Sequence, residues 1–175
     1  MNTFLEKLNQ IRCFIFDVDG VLTDGLVLAL ESGEQARSFL VKDGFGIERA
    51  LIAGYHVAVI SGGKQEGVRK RLEFLKIPTI YLGVSNKIET FNQFLKLQNL
   101  NVSQILYMGD DWPDYDVMKL AGLPCCPSDA TPEIKEISLY VSPFEGGKGC
   151  VRDVIEKVMK VQKTWRKVDG ENIDN

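Results

Sequence analysis

Residues 12–24 read RCFIFDVDGVLTD. A strand-like run from Arg12 to Phe16, apolar after its first residue, gives way at once to two acids, a glycine, and then a hydroxyl and a third acid. A run this short and this apolar suits a strand covered on both faces. The glycine-containing stretch after it is a loop leaving the strand's carboxyl end. Further runs of the same kind follow at Val57 to Ile60, Thr79 to Leu82 and Ile105 to Met108, with weaker ones at Leu123 to Cys126 and Leu139 to Val141. Segments of helical periodicity separate them. Strands alternating with helices mean parallel strands joined by crossovers, the α/β class.

Two helices announce themselves by their ends. Ile88, Phe91, Phe94 and Leu95 recur at helical spacing after Ser85 and Asn86, either of which can cap. Thr131, Pro132 and Glu133 combine a capping hydroxyl, a first-turn proline and an acid at the positive helix end. A last helix carries Val151, Val154, Ile155, Val158 and Met159 on one face and is expected to reach Trp165. One segment breaks the alternation. Gly25 to Val41 contains LVLAL and ARSFLV around Ser32 and Gly33, which predicts a β-hairpin inserted after the first strand.

The chain has 175 residues, 45% of them hydrophobic, enough for one domain over 1–166 with a core needing no disulfide. A polar tail, 167–175, is expected to be mobile. Twenty-one basic against 24 acidic residues give a net charge of −3 with no basic stripe, so nucleic acid is not an expected partner. Charges are scattered through MNTFLEKLNQIR, which fits neither a signal peptide nor a membrane span, and a cytoplasmic protein is expected. Cys13, Cys125, Cys126 and Cys150 form no C-x-x-C pair and read as reduced, mostly buried thiols. The lone His56 opens a strand and reads as structural.

The chemistry concentrates where strands end. Asp17 and Asp19 follow the first strand, Ser61 ends HVAVIS, Lys87 opens a helix, and G-D-D-W-P-D places Asp110, Asp111 and Asp114 after ILYM. In an open α/β sheet, ligands bind beyond the carboxyl ends of the strands, so these residues face one crevice. A D-x-D pair alone is a weak motif whose plain reading is a solvated loop. Taken together, the four features resemble, in order and separation, the motifs of the haloacid dehalogenase superfamily over residues 11 to 155.

That resemblance implies a doubly wound, Rossmann-like parallel sheet, a bound magnesium ion and a phospho-aspartate intermediate. Asp17 resembles the nucleophile and Asp19 the general acid and base. Ser61, with the backbone at Gly62, and Lys87 resemble the phosphate-binding group. Asp17, Asp19 through its carbonyl, and Asp110 resemble the magnesium ligands, with Asp111 assigned to the same set. Asp111 and Asp114 could equally serve a helix start, and either could touch the metal shell. The residue types make physical sense. A carboxylate attacking a phosphate dianion meets charge repulsion, which magnesium and the Lys87 ammonium offset. Neighbouring carboxylates are expected to favour a protonated Asp19, the form that gives up a proton to the leaving oxygen. Thr23 and Asp24 are expected to fasten the loop. A response-regulator receiver shares the acidic cluster and magnesium, but its phosphorylated aspartate and its lysine follow later strands. A catalytically idle oligomeric scaffold remains a reading of a different class.

The spacers between Asp24, Ser61 and Lys87 leave no room for a separate cap domain. With the hairpin, K-D-G-F-G at Lys42 to Gly46 and G-G-K-G at Gly146 to Gly149, the chain resembles the 3-deoxy-D-manno-octulosonate 8-phosphate phosphatases. Their relatives act on nine-carbon, sialic-type sugar 9-phosphates. The resemblance implies a role in lipopolysaccharide synthesis and a homotetramer that closes the uncapped site. It departs at Gly63, where an arginine is expected. Lys64, Arg69 and Lys148 are the candidate cations for the substrate's carboxylate, and ordinary solvated surface is the competing reading of each.

Overall fold

A computed structural model describes residues 4–166; the tail expected at 167–175 lies outside them. In chain order the elements are α1 (Phe4–Gln10), β1 (Cys13–Phe16), β2 (Leu28–Ala29), β3 (Gln35–Ala36), α2 (Val41–Ile52), β4 (His56–Ser61) and α3 (Glu66–Phe74). Then come β5 (Thr79–Leu82), α4 (Lys87–Gln98), β6 (Ile105–Met108), α5 (Tyr115–Leu120), β7 (Leu123–Cys126), α6 (Pro132–Ile137), β8 (Tyr140–Val141) and α7 (Cys150–Val161).

Six strands form one parallel sheet in the order β5-β4-β1-β6-β7-β8. The chain winds outward from β1 to one edge, then returns beside β1 and winds to the other. The expected doubly wound sheet is therefore present, and its direction reverses between β1 and β6, where such folds bind ligands.

The continuous apolar runs are explained by burial on two faces. Phe14 and Phe16 point to a core with Val57, Val59, Leu106 and Met108, covered by Ile47 and Ala50 of α2 and by Val151, Val154, Ile155, Val158 and Met159 of α7. Cys13 and Ile15 point the other way, with Ala58, Ile60, Ile105 and Tyr107, onto Phe91 and Phe94 of α4 and Val117 and Met118 of α5. All four cysteines are free and buried. His56 sits exposed at the start of β4. Among the described residues no helix is long and apolar enough to cross a membrane.

Three local expectations need correction. The hairpin pairs only Leu28–Ala29 with Gln35–Ala36, closed by a turn at Gly33 (φ 85°), and its residues from Gly25 to Ala36 are exposed. A two-stranded ribbon with no sheet behind it sustains little pairing, and Phe39 instead packs on the core while Val41 begins α2. The last helix ends at Val161 rather than at Trp165. There the Gln162 amide turns to the carbonyls of Leu8 and Ile11, and Lys163 takes a left-handed φ of 58° that stops the helix. The Thr131 hydroxyl caps nothing. Its own backbone N–H donates instead to the Asp110 carbonyl at 2.9 Å, tying the start of α6 to the loop after β6.

Candidate active site

Each element of the crevice brings one group. Asp17 extends the β1 ladder by one residue, its N–H donating to the Met108 carbonyl at 3.1 Å, so its carboxylate emerges beside the end of β6. The chain then makes a wide turn over Val18–Leu22, closed by the Thr23 N–H and hydroxyl on the Val18 carbonyl at 3.0 and 3.2 Å. Asp24 Oδ1 accepts from the Leu26 N–H. Thr23 and Asp24 thus hold loop geometry. Within the turn Gly20 has φ 82°, and a Cβ there would lie 2.0 Å from Asp110 Oδ2, so a side chain at this position would expel Asp110 from the site.

Lys87 opens α4, whose start is capped by Asn86 Oδ1 accepting from the Glu89 N–H. Its buried ammonium lies 3.1 Å from Asp17 Oδ2 and 2.7 Å from Asp114 Oδ1. Burial alone would lower the Lys87 pKa, but Asp17 and Asp114 override it and hold it above its ordinary value. Tyr107, on β6, donates its hydroxyl to the same Asp114 oxygen at 2.6 Å.

Carboxylate oxygens of Asp17, Asp110 and Asp114 lie within 4.8 Å of one another. Burial, then the neighbouring acids, raise Asp110 to about 8 and Asp114 to about 7. Asp17 Oδ1 and Asp114 Oδ2 are buried with no hydrogen-bond partner. Carboxylates facing each other from the loops after β1 and β6, two of their oxygens buried without donors, fit a hard divalent cation that takes oxygen ligands, and magnesium suits them. Asp114, not Asp111, completes the group. Asp111 is exposed, and its carboxylate accepts from the Trp112 N–H at the start of the following turn.

Asp19 stands outside this group. Its side chain was expected among like charges; instead Arg37 Nε donates to Asp19 Oδ1 at 2.8 Å. Sequence reading passed over Arg37 because ARSFLV looked like a plain strand. A lone cation in an apolar run was the available signal. Tyr107 was also passed over, although a buried phenol needs a partner for its hydroxyl.

Ser61, buried at the end of β4, accepts on Oγ from the Gly63 N–H at 3.2 Å. The loop after β5 clamps this segment, with the Val84 N–H on the Ser61 carbonyl and the Gly83 N–H on the Gly63 carbonyl. A Cβ at Gly63 would lie 3.5 Å from Asp19 Oδ2 and 3.6 Å from Ser61 Oγ, so the loop faces Asp19. The three candidate substrate cations are not gathered at one point. Lys64 lays its methylenes along Gly83. Arg69 is half-buried on α3 and forms no salt bridge among the described residues. Lys148 has its ammonium 3.8 Å from Asp24 Oδ2, in a segment held by the Gly147 N–H on the Val21 carbonyl.

Residues 76–153 match the family model of haloacid dehalogenase-like hydrolases. The 3-deoxy-D-manno-octulosonate 8-phosphate phosphatase of Escherichia coli is 37% identical over 169 residues, 97% of this chain and 90% of that protein. The crystal structure of the same enzyme from Yersinia pestis superposes with a TM-score of 0.91 at 32% identity, covering 93% of this chain and 88% of that one. That from Moraxella catarrhalis, in complex with magnesium, phosphate and a KDO molecule, gives 0.90 at 30% identity, covering 94% and 95%. Buried carboxylates at the reversal point of a doubly wound sheet, an ammonium between two of them and this similarity along the chain agree: the protein belongs to the haloacid dehalogenase superfamily of hydrolases, in the family of the 3-deoxy-D-manno-octulosonate 8-phosphate phosphatases.

Proposed function

We propose that the protein hydrolyses 3-deoxy-D-manno-octulosonate 8-phosphate to the free sugar acid and phosphate, with Asp17 as nucleophile. The observation that carries the chemistry is the placement of Asp17. One of its oxygens meets the Lys87 ammonium at 3.1 Å and the other is buried without a donor. When bound, magnesium supplies the charge that offsets repulsion between this carboxylate and a phosphate dianion. Asp17, Asp110 and Asp114 are the side chains that would hold it, with the Asp19 carbonyl as a fourth candidate ligand. The substrate follows from the relatives, which carry that name across nearly the whole of this chain.

Asp17 attacks phosphorus, the bond to the sugar oxygen breaks, and Asp19 delivers a proton to that oxygen as the sugar leaves. Water then attacks the aspartyl-phosphate, Asp19 takes its proton, and Asp17 is regenerated with release of phosphate. Lys87, Ser61 and the backbone at Gly62 hold the phosphoryl oxygens throughout. Lys64, Arg69 and Lys148 remain the candidate cations for the sugar's carboxylate.

The assembly is a homotetramer in the cytoplasm, serving lipopolysaccharide synthesis. Leu26, Val27, Leu28 and Leu30 of the hairpin are exposed by 72, 46, 64 and 42%, an apolar surface suited to burial between subunits. Assay of the purified protein against a panel of sugar phosphates, with magnesium and with excess chelator, tests the reading. Turnover of the eight-carbon acid only with magnesium is expected. Turnover in excess chelator, or none on any sugar-acid phosphate, would overturn it.

A further inference from the structure

We propose that Arg37 is a positioning residue, which pins Asp19 so that its second oxygen faces the leaving group. This rests on Asp19 being the acid of the phosphatase reaction. Arg37 comes from the return arm of the hairpin, and its guanidinium is almost wholly covered, the side chain being 6% exposed. Its Nε donates to Asp19 Oδ1 at 2.8 Å, and Nη1 reaches the Gln35 carbonyl at 3.3 Å. Gln35 is in turn tied to the phosphate-side loop, because Gln65 Nε2 donates to Gln35 Oε1 at 3.2 Å. The return arm of the hairpin is therefore fastened through Arg37 to the acid and through Gln35 to the start of the helix that follows Ser61.

The two Asp19 oxygens are not equivalent. Oδ1 is taken by Arg37, while no hydrogen bond to Oδ2 occurs among the described residues. Oδ2 lies 3.5 Å from the position a Gly63 Cβ would occupy, on the side where Ser61 Oγ stands. A carboxylate held by one oxygen on a covered guanidinium loses rotational freedom about its last bond. Its free oxygen then keeps one direction, toward the phosphate-binding loop. That is the oxygen that carries the proton to the departing sugar.

The role predicts a dependence on the leaving group. A sugar alcohol departs as a poor leaving group and needs the proton, whereas p-nitrophenolate departs readily without it. The experiment compares kcat/KM, which reports only steps through departure of the alcohol, for wild type, Arg37→Gln and Arg37→Lys on 3-deoxy-D-manno-octulosonate 8-phosphate and on p-nitrophenyl phosphate. Misplacing the acid should cost Arg37→Gln roughly 100-fold on the sugar phosphate. On the aryl ester the loss should stay below about threefold, since general acid assistance contributes little to a good leaving group. Arg37→Lys should recover part of the lost rate. Equal losses on the two esters, or an unchanged sugar-phosphate rate, overturn the assignment. Thermal melts of each variant separate misfolding from the expected effect. A wild type that cleaves the aryl ester but no sugar-acid phosphate would instead refute the substrate and be visible before any variant is made.

Discussion

Lys87 Nζ stands 2.7 Å from Asp114 Oδ1, closer than the 3.1 Å that separates it from Asp17 Oδ2. The ammonium is thus anchored by Asp114 and presented to Asp17, the proposed nucleophile. The other Asp114 oxygen, Oδ2, is buried with no hydrogen-bond partner, and Asp114 belongs with Asp17 and Asp110 to the acidic group. One carboxylate therefore anchors the ammonium beside Asp17 and contributes an oxygen to the acidic group that could hold a metal ion.

Asp114→Asn should weaken magnesium binding by about 10- to 100-fold, as loss of a supporting ligand oxygen commonly does. The measurement is the thermal midpoint of the protein against magnesium concentration, without substrate. Wild type should gain about 2.7 kcal/mol at a hundred times its dissociation constant. The variant should need correspondingly more metal for the same gain. An unshifted titration would put Asp114 outside the cage. Asp111→Asn, whose carboxylate serves only the local turn, should titrate like wild type.

Asp17→Asn should abolish turnover, because an amide is a poor nucleophile and a weaker ligand. Asp19→Asn should lower kcat and kcat/KM together, with about 10²–10⁴-fold loss, the range of a missing general acid. Accumulation of labelled phospho-protein in the Asp19 variant, after rapid quenching, would show its second role in hydrolysing the intermediate. Substantial turnover by the Asp17 variant would remove Asp17 as nucleophile.

The sheet could be read almost strand by strand because burial on both faces writes itself as unbroken apolar runs. Thr79–Leu82, Ile105–Met108 and Leu123–Cys126 fall where periodicity places them. What escaped were relationships that sequence distance hides. Arg37 reaches Asp19 across a hairpin, and Tyr107 reaches Asp114 from inside a strand that looks merely hydrophobic. Asp111 and Asp114 were indistinguishable as acids near a helix start; only the turn at Trp112–Asp114 directs one outward and buries the other. The α7 end was overestimated for the same reason. Apolar spacing continues to Trp165, but the Gln162 side chain bonds back to Leu8 and Ile11 instead of prolonging the helix.

Asp43 gives a pH dependence of stability. It is buried on α2, and its Oδ1 accepts from the Arg152 N–H at 2.7 Å, capping α7 from across the core while Oδ2 has no partner. Burial pushes its carboxyl from 3.8 up to about 6, against the lowering influence of the α7 backbone and the Arg152 charge. A raised carboxyl pKa means the folded state binds the proton more tightly. The penalty for ionising it is absent below pH 3.8 and complete above about 6, so its contribution falls as pH rises through that window. Asp43→Asn keeps an acceptor for Arg152 and cannot ionise. Relative to wild type it should gain on the order of 2–3 kcal/mol between pH 4 and pH 7, read from urea melts without metal. A constant difference between the two proteins across that range would show that Asp43 does not titrate there.

The hairpin should govern assembly. Leu26 and Leu28 are 72% and 64% exposed in one subunit, too much contiguous apolar surface for water when the neighbouring arm is equally open. Light scattering at micromolar concentration should report a tetramer for wild type and a smaller species for Leu28→Asp. A wild-type monomer would remove the assembly and with it the idea that a second subunit closes the site.

Substrate choice should be traceable to Lys148. Its loop is held against the Val18–Leu22 turn through the Gly147 N–H on the Val21 carbonyl, and its side chain is 57% exposed with the ammonium 3.8 Å from Asp24 Oδ2. So open a pair contributes little to stability, which leaves the ammonium available to a ligand carboxylate. Lys64 is less available, with its methylenes lying along Gly83. Lys148→Ala should therefore raise KM for the eight-carbon sugar-acid phosphate about tenfold, the loss of one charge-assisted contact, with kcat little changed because the phosphoryl group stays on Lys87 and Ser61. A simple alkyl phosphate without a carboxylate should show no change. The wild type should also prefer the eight-carbon over the nine-carbon acid in kcat/KM, as its similarity to an eight-carbon enzyme along 97% of the chain implies. A preference for the nine-carbon acid, or a Lys148→Ala variant with unaltered KM, would leave the phosphatase chemistry intact and move the substrate's carboxylate elsewhere.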